Sequence, residues 1–264
     1  MDLIKEIKAS AEEVLSVLGE GYKENVYEEA LAHELRIRNI PYERQRNFEM
    51  IYKGYKVGEG RADLILNPLW FNRKGEEIVL ELKVGKKIEK SHKRQAQVYM
   101  VSLNINEGWV LSFSNKVEME KVEKPKRGFD RSVIKPSKSR KELSKILKES
   151  AENVFNYFGT EFIYRDKGLE IFPKAIAVEL RLNGIDFSTG TFPICYKFHE
   201  VDRYNFNFVF SNGEVANVCY YKDEEDIDKS LEEFKFYVDI LKLRKGYLIC
   251  IPSTEGERVI VTTT

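Results

Sequence analysis

The amino-acid sequence predicts an α/β fold that occurs twice in tandem, each time as a central mixed sheet flanked by helices. Three observations support this prediction. Apolar residues recur at helical spacing in some segments and fill short runs typical of strands in others. Matching segments appear in the same order in both halves of the chain, and a basic stretch that contains proline separates the halves.

The first half predicts the element order ααβββαβ. Helices are expected where apolar residues repeat every three or four positions, and strands where β-branched and aromatic residues cluster. The helices are expected at 3–18, 25–38 and 90–103, and the strands at 43–53, 61–66, 77–84 and 107–114. Helices before and after a run of strands indicate one sheet with helices packed against it.

The second half repeats the first. Residues 30–40 are ALAHELRIRNI and residues 175–185 are AIAVELRLNGI. ASAEEVLSVLG at 9–19 is likewise followed by ESAENVFNYFG at 149–159. Further matches pair Phe48–Lys53 with Phe192–Lys197, Tyr99 with Tyr237, and Gly108 with Gly246. Matches that keep their order predict a duplicated unit, with domains at 1–118 and 141–264.

The segment 119–140 is expected to be a linker because it is rich in lysine and arginine, contains prolines and lacks apolar periodicity. Two interpretations of its positive charge remain open. The basic residues either keep a connector solvated or contact phosphate groups.

Composition restricts the class of protein. The chain has 264 residues with 43 basic and 43 acidic side chains, so net charge indicates no particular partner. No apolar run approaches the ~18 residues of a membrane span, and no membrane association is expected. The three cysteines are widely spaced in apolar segments, which is typical of reduced thiols and favours a cytoplasmic location.

Candidate site residues lie in two neighbouring strands. The run Ile78–Val84 is almost wholly apolar, yet it carries Glu81 and Lys83, which alternation places on one face. Asp63 is the acid of the preceding strand. Two half-buried carboxylates require a neutralising cation, and Mg²⁺ (or Mn²⁺) suits such oxygen ligands. The alternative is a cross-strand ion pair, worth ~0–1 kcal/mol.

Two helical residues extend this candidate site. Glu24 precedes Tyr27 and Leu31 on the helical stripe that should face the sheet, so its carboxylate is expected near the acids. A favourable interaction with the helix N-terminus is the alternative explanation. Gln95 lies one helical turn before Tyr99, where its amide could orient a water molecule or a phosphate.

The order of GYKENVY, RADL, ELK and QAQVY resembles the GxxExxY protein family of the PD-(D/E)XK nuclease superfamily, over about residues 2–115. The resemblance implies a restriction-endonuclease-like fold, so the whole chain would be a tandem duplication of that fold. It implies that Asp63 and Glu81 bind the metal and that Lys83 assists the attacking water. It also implies that Glu24 completes the acidic cluster and that Gln95 is an accessory polar residue.

The second copy lacks these residues. Aligned through the repeat, Glu24, Asp63, Glu81, Lys83 and Gln95 correspond to Leu169, Asn207, Asn217, Cys219 and Glu233. Neutral side chains cannot replace the charge that binds a cation. The second copy is therefore predicted to be a degenerate, inactive repeat.

The sequence thus predicts a Mg²⁺-dependent nuclease with one active site in the N-terminal copy and nucleic acid as its partner, DNA being favoured over RNA. A basic cluster after the site strand is expected to contact phosphates, and it consists of Lys86, Lys87, Lys90, Lys93 and Arg94. A monomer whose two copies mimic a dimer is expected, with a homodimer as the alternative. The rival functions are a non-catalytic module that binds nucleic acid or protein, and a structural protein that docks a basic partner on the acidic stretch 223–228.

Overall fold

The computed structural model describes residues 3–67, 76–125, 141–163 and 168–264. The chain forms two compact units, Met1–Phe129 and Asp130–Thr264. Each unit contains a five-stranded mixed sheet with helices packed against it. The predicted α/β class, with two sheets flanked by helices, is confirmed.

The N-terminal unit begins with two helices and ends with two strands. Its helices are α1 (Leu3–Leu18), α2 (Glu24–Ile37) and α3 (Lys90–Leu103). Its strands are β1 (Tyr42–Tyr52), β2 (Tyr55–Leu66), β3 (Ile78–Val84), β4 (Glu107–Phe113) and β5 (Val117–Glu123). They lie in the order β1-β2-β3-β4-β5, with β3 and β4 parallel and the other neighbours antiparallel.

Apolar side chains cover both faces of this first sheet. Residues of α1 and α2 such as Ile7 and Leu31 pack with Leu80 and Leu82 of β3 on one face. Helix α3 packs against β1, β3 and β4, and the ring of Tyr99 meets Phe48 edge to face. Because side chains alternate along a strand, α3 covers the face of β3 that carries Glu81 and Lys83.

The C-terminal unit has the same order of helices and strands. Its helices are α4 (Leu143–Phe158), α5 (Gly168–Leu182) and α6 (Glu224–Ile240), with a short 3-10 turn at Thr160–Phe162. Its strands are β6 (Phe187–Tyr196), β7 (His199–Phe210), β8 (Glu214–Tyr221), β9 (Lys245–Pro252) and β10 (Ile260–Thr263). The sheet order is β10-β9-β8-β7-β6, and β8 and β9 are its parallel pair.

Close packing of helix and strand requires glycine at the same place in both units. A Cβ atom added to Gly108, the second residue of β4, would lie 2.4 Å from the sulfur of Met100 on α3. A Cβ added to Gly246, the second residue of β9, would lie 2.6 Å from Phe234 on α6. The matched glycines therefore let each helix approach its sheet.

The first hairpin of each sheet turns through two residues with positive φ, as a type I′ turn requires. In the β1–β2 hairpin these are Lys53 (φ 47°) and Gly54 (φ 79°). In the β6–β7 hairpin they are Lys197 (φ 47°) and Phe198 (φ 66°). A bulky residue with positive φ is unusual. The Phe198 side chain is fully exposed, so packing does not compensate for this backbone conformation.

The structure corrects the sequence analysis at three points. Strand β5 was missed, and it extends the first sheet to Glu123, past the boundary expected at residue 118. Residues 119–123 are therefore strand rather than linker, and 126–140 lie outside the described residues. Strand β2 begins at Tyr55 rather than at residue 61. Within the described ranges, no helix has the length and apolar character that a membrane span requires.

Candidate active site

The site is built where strands β2 and β3 stop pairing. Their antiparallel register runs from Leu66 opposite Ile78 to Leu64 opposite Leu80. One residue further on, Asp63 and Glu81 face each other from the two strands, because opposed residues of an antiparallel pair share a face. Asp63 is buried, and its Oδ2 accepts a hydrogen bond from the backbone N–H of Leu82 at 3.0 Å. The Asp63 carboxylate therefore connects the two strands where the backbone ladder ends.

Glu81 and Lys83 form a buried ion pair on β3. The Lys83 Nζ lies 2.8 Å from the Glu81 Oε1, and the Glu81 side chain is 0% exposed. Strand β3 lies between β2 and β4 in the centre of the sheet, so neither side chain can turn into bulk water. Burying two charges is expensive, and removing one partner leaves an uncompensated charge.

Glu24 approaches the same lysine from helix α2. It is the first residue of that helix, and its Oε2 lies 3.6 Å from the Lys83 Nζ. The Glu24 side chain is 41% exposed, so this carboxylate lies on the solvent side of the site. A helix N-terminus also stabilises negative charge, and both explanations of Glu24 therefore apply.

The pKa of Lys83 reflects all three acids. Burial by itself lowers this pKa, but the charges of Glu81, Glu24 and Asp63 raise it by more, so it lies above its ordinary value. The ammonium group therefore keeps its proton at neutral pH. The structure thus brings Glu24, Asp63, Glu81 and Lys83 together, with three carboxylates around one ammonium.

The donor set suits a hard divalent cation. Carboxylate oxygens are the ligands that Mg²⁺ prefers, and it requires only one or two of them because it keeps several waters. In the described part of the chain, however, no three Asp, Glu, His or Cys side chains are grouped so that they could hold a metal ion by themselves. Two of the carboxylates, those of Glu81 and Glu24, lie within ion-pair distance of the Lys83 ammonium instead.

Gln95 lies on the buried side of α3, the helix that covers this face of β3. Its Nε2 donates a hydrogen bond to the Tyr99 hydroxyl at 2.8 Å. Its Oε1 is buried and has no hydrogen-bond partner among the described residues. A buried acceptor without a donor is costly, so a water or ligand donor fits there. The hydrogen bond of Gln95 is made to Tyr99 rather than to the acids of the site.

The basic cluster begins directly after β3. Lys86, Lys87 and Lys90 are exposed, whereas Lys93 and Arg94 are half-buried. The Lys93 Nζ lies 2.5 Å from the Glu120 Oε2 of β5. This ion pair leaves Lys93 less available to phosphate than the three exposed lysines. The sequence did not predict the pair because it did not predict strand β5.

The corresponding place in the C-terminal unit has neutral residues. The β7–β8 register pairs Phe208 with Ala216, so Asn207 and Asn217 face each other one residue further on. The Asn207 Oδ1 accepts from the N–H of Val218 at 2.7 Å, and the Asn217 Oδ1 accepts from the N–H of Asn207 at 2.7 Å. The first of these bonds matches the bond from the Leu82 N–H to Asp63.

Further hydrogen bonds satisfy the Asn217 amide. Its Nδ2 donates to the Tyr204 hydroxyl at 3.3 Å and to the Asn205 carbonyl oxygen at 3.2 Å. The side chain of Leu169, the expected counterpart of Glu24, lies outside the described part of the structure. Asn207 and Asn217, the counterparts of Asp63 and Glu81, thus form a neutral hydrogen-bonded network.

Two pairs of residues come together through strand register, which local sequence patterns do not reveal. Ser112 of β4 pairs with Lys83, is fully buried, and donates from its Oγ to the Gly85 carbonyl oxygen at 2.8 Å. Cys219 of β8 pairs in the same way with Cys250 of β9. The repeat alignment relates the two pairs to each other, because Ser112 and Cys250 each lie four residues after the matched glycines, Gly108 and Gly246.

Comparison with known proteins bears on the N-terminal unit. The family model of the PD-(D/E)XK nuclease superfamily matches residues 1–124. Comparison with curated protein sequences finds no match. Six chains of solved structures match, and among them is the crystal structure of SSO0001. It is 15% identical, with 47% of this chain and 78% of that chain covered, at a TM-score of 0.30.

Proposed function

We propose that residues 1–124, which match the family model of the PD-(D/E)XK nuclease superfamily, hydrolyse phosphodiester bonds of nucleic acid with the help of Mg²⁺ or Mn²⁺. The observation that carries the proposal is the acid cluster around Lys83. Glu81 and Lys83 are buried in a central strand, and the charges of Asp63 and Glu24 act on the same ammonium. Because buried charges are expensive, a cluster of this kind favours a chemical role over a structural one.

Within the superfamily we propose membership of the GxxExxY family. The supporting residues are the ordered segments GYKENVY, RADL, ELK and QAQVY. The segments supply Glu24, Asp63, Glu81 with Lys83, and Gln95 respectively, and the first four of these residues share one charge cluster.

Asp63 and Glu81 are the proposed metal ligands, together with the backbone carbonyl of Leu82 between Glu81 and Lys83. A divalent cation bound there supplies positive charge to a phosphoryl oxygen and lowers the pKa of a bound water. Asp63 can bind the cation even while its Oδ2 accepts a hydrogen bond from the backbone N–H of Leu82, because a carboxylate has acceptor capacity for several partners.

Lys83 and the two remaining residues have different roles in this proposal. The Lys83 ammonium orients the attacking water and stabilises negative charge that develops in the transition state. Glu24, on the solvent side of the site, adds negative charge that attracts the cation. Gln95 offers its buried Oε1 as an acceptor that positions a water molecule.

The exposed lysines Lys86, Lys87 and Lys90 provide phosphate contacts next to the site, with Arg94 beside them on α3. Phosphate contacts supply affinity without sequence specificity. We propose DNA as the substrate ahead of RNA and a cytoplasmic location. A single site is proposed, because Asn207, Asn217 and Cys219 carry no compensating charge and the C-terminal unit would then be an inactive copy.

A non-catalytic module that binds nucleic acid is the second candidate. One observation favours it: the Lys83 ammonium already neutralises part of the acid cluster, so the fold tolerates these charges without a cation. Binding to DNA that weakens with salt and produces no cleavage would support this candidate.

The experiment is a time course of supercoiled plasmid, single-stranded DNA and RNA with the full chain at low concentration. Mg²⁺, Mn²⁺ and a chelator are compared. If the protein is a monomer with one site, open circular DNA should form first and linear DNA only slowly. Linear DNA at the earliest times would show that two sites act together. Absence of metal-dependent cleavage of all three nucleic acids by folded protein would overturn the nuclease proposal.

A further inference from the structure

The C-terminal unit places two thiols side by side on parallel strands. Cys219 of β8 and Cys250 of β9 are register partners, and both are free thiols. Adjacent strands lie roughly 4.8 Å apart, within the range of about 4.4–6.8 Å between Cα atoms that a disulfide can span. Register partners on neighbouring parallel strands point to the same face of the sheet, and both side chains belong to one apolar cluster, in which Cys250 is a buried member and Cys219 packs against it.

The two thiols differ in access and in acidity. Cys250 is fully buried, whereas Cys219 is partly exposed, so a dissolved reagent meets Cys219 first. Hydrogen bonds from Cys250 and from Ser230 on α6 lower the pKa of Cys219, although burial opposes them. The hydrogen bond to Cys219, together with burial, raises the pKa of Cys250. Cys219 is therefore the nucleophile of the pair, and Cys250 keeps its proton.

The fold itself does not require a pair of thiols here. In the N-terminal unit the corresponding register partners on β3 and β4 are Lys83 and Ser112. The same strand positions thus accept an ion-paired lysine beside a serine in one unit and two cysteines in the other. Cys195, on β6, is exposed and provides an internal reference for unspecific oxidation.

We propose that Cys219 and Cys250 are a redox-active dithiol that hydroperoxides convert to a disulfide. The thiolate of Cys219 attacks one peroxide oxygen, so that an S–O bond forms, the O–O bond breaks, and the second oxygen leaves with a proton as water or alcohol. The sulfur of Cys250 then attacks that of Cys219. The S–S bond forms, the S–O bond breaks, and the departing hydroxide takes the Cys250 proton to give water. Each chain gives two electrons to one peroxide.

The experiment maps the thiols of the full chain after treatment with hydrogen peroxide. Remaining thiols are alkylated in denaturant, and peptides are analysed by mass spectrometry without reduction. A peptide that joins Cys219 to Cys250, lighter by two hydrogen atoms, is expected, while Cys195 carries the alkyl group. Dithiothreitol should restore both thiols. Oxidation of Cys195 while Cys219 and Cys250 are alkylated separately, or conversion of Cys219 to its sulfinic acid, would overturn the proposal.

Variants test the order of attack. Cys250→Ser should leave Cys219 as a sulfenic acid that dimedone traps, because no second thiol is present to resolve it. Cys219→Ser should leave Cys250 reduced, and the matched control Cys195→Ser should still form the cross-link. Should Cys250→Ser fail to fold by circular dichroism, the peptide maps of the native chain and of Cys195→Ser decide the question. The outcome is independent of nuclease activity, because it requires neither a nucleic acid nor Mg²⁺.

Discussion

The N-terminal and C-terminal units differ most at the place where their second and third strands part. In the N-terminal unit the Asp63 carboxylate accepts a hydrogen bond from the backbone N–H of Leu82. In the C-terminal unit the Asn207 amide oxygen accepts one from the backbone N–H of Val218. The bond is the same although the charge differs. The comparison shows that a neutral amide oxygen is enough for this bond. We therefore expect the negative charge of Asp63 to serve the metal binding that we propose, and the acceptor oxygen to hold the strands together.

The helix that follows the third strand shows a second difference. Helix α3 of the N-terminal unit carries Lys90 and Arg94, and the alignment of Tyr99 with Tyr237 places Asp228 and Glu232 at the corresponding positions of α6. The first turn of α6 is also acidic, with Glu224, Glu225 and Asp226. Lys90 and Arg94 give this part of α3 positive charge, and the residues at the corresponding positions of α6 are acidic. We therefore expect phosphate to favour α3 over α6.

The largest expected effect concerns Lys83. Lys83→Ala should lower kcat for Mg²⁺-dependent cleavage by roughly 10²–10³-fold, as loss of one donor that stabilises transition-state charge typically does. The measurement is the initial rate of plasmid nicking. Lys121→Ala on β5 is the matched control, because this lysine is exposed and lies outside the acid cluster; its rate should stay unchanged. Equal rates for both variants would remove Lys83 from the mechanism.

A smaller effect is expected on stability at Asp63 and Asn207. Asp63→Ala and Asn207→Ala should each lower the free energy of unfolding by ~1–3 kcal/mol, because each leaves a backbone N–H without its acceptor. The bond is buried at Leu82 and part-buried at Val218, so the larger loss is expected for Asp63→Ala. Asp63→Asn should change the free energy of unfolding by less than about 1 kcal/mol, since the amide oxygen can accept the same bond. Urea denaturation measures these differences.

Asp63→Asn should abolish Mg²⁺-dependent cleavage although it changes the free energy of unfolding little. Cleavage assays on this variant therefore complement the denaturation measurements. A loss of stability as large for Asp63→Asn as for Asp63→Ala would contradict the separation of roles. It would indicate instead that the charge of Asp63 mainly serves the buried lysine.

Salt dependence of binding tests the difference between α3 and α6. Lys90→Ala should weaken binding to duplex DNA and reduce the slope of log K against log salt by about 0.9, the loss of one phosphate contact. Asp228→Ala, at the corresponding position of α6, should not weaken binding. The measurement is fluorescence anisotropy at several salt concentrations with a chelator present. A similar loss of affinity in both variants would show that neither helix face contacts phosphate.

The smallest expected effect lies in the hairpin turns. Phe198→Gly should raise the free energy of unfolding by about 0.5–1 kcal/mol, because glycine adopts a positive φ without the steric penalty of a side chain. Gly54→Phe, the reciprocal change in the N-terminal unit, should lower it. Thermal unfolding of both variants measures the effect, and destabilisation by Phe198→Gly would mean that the exposed ring contributes to the fold.

Sequence predicted the helices well because their apolar stripes are strong. The predicted helices 3–18 and 90–103 coincide with α1 and α3. Strand β5 was missed because VEMEKVE buries only Val117 and Val122 and exposes charged residues between them. The start of β2 was missed because glycines interrupt its alternation. Gly60 is needed there, since a Cβ would lie 2.6 Å from Met50 and Phe48 on the paired strand.

The candidate site could be predicted as a set of residues but not as a set of contacts. Motif order identified Glu24, Asp63, Glu81 and Lys83, and in the structure the charges of the three acids act on the Lys83 ammonium. The bond from Leu82 to Asp63 depends on where the β2–β3 ladder ends, and the pairing of Cys219 with Cys250 depends on the alignment of two parallel strands. Neither is encoded in local periodicity, because both arise from the tertiary register.

A backbone amide held by a side chain is also a spectroscopic reporter. The amide proton of Leu82 exchanges with solvent deuterium only when Asp63 releases it or when the sheet opens, and the amide of Val218 has the same relation to Asn207. Two-dimensional NMR of the full chain would record both protons in one spectrum. A cation that engages the Asp63 carboxylate should shift the Leu82 resonance and leave that of Val218 in place, which gives the molecule an internal reference.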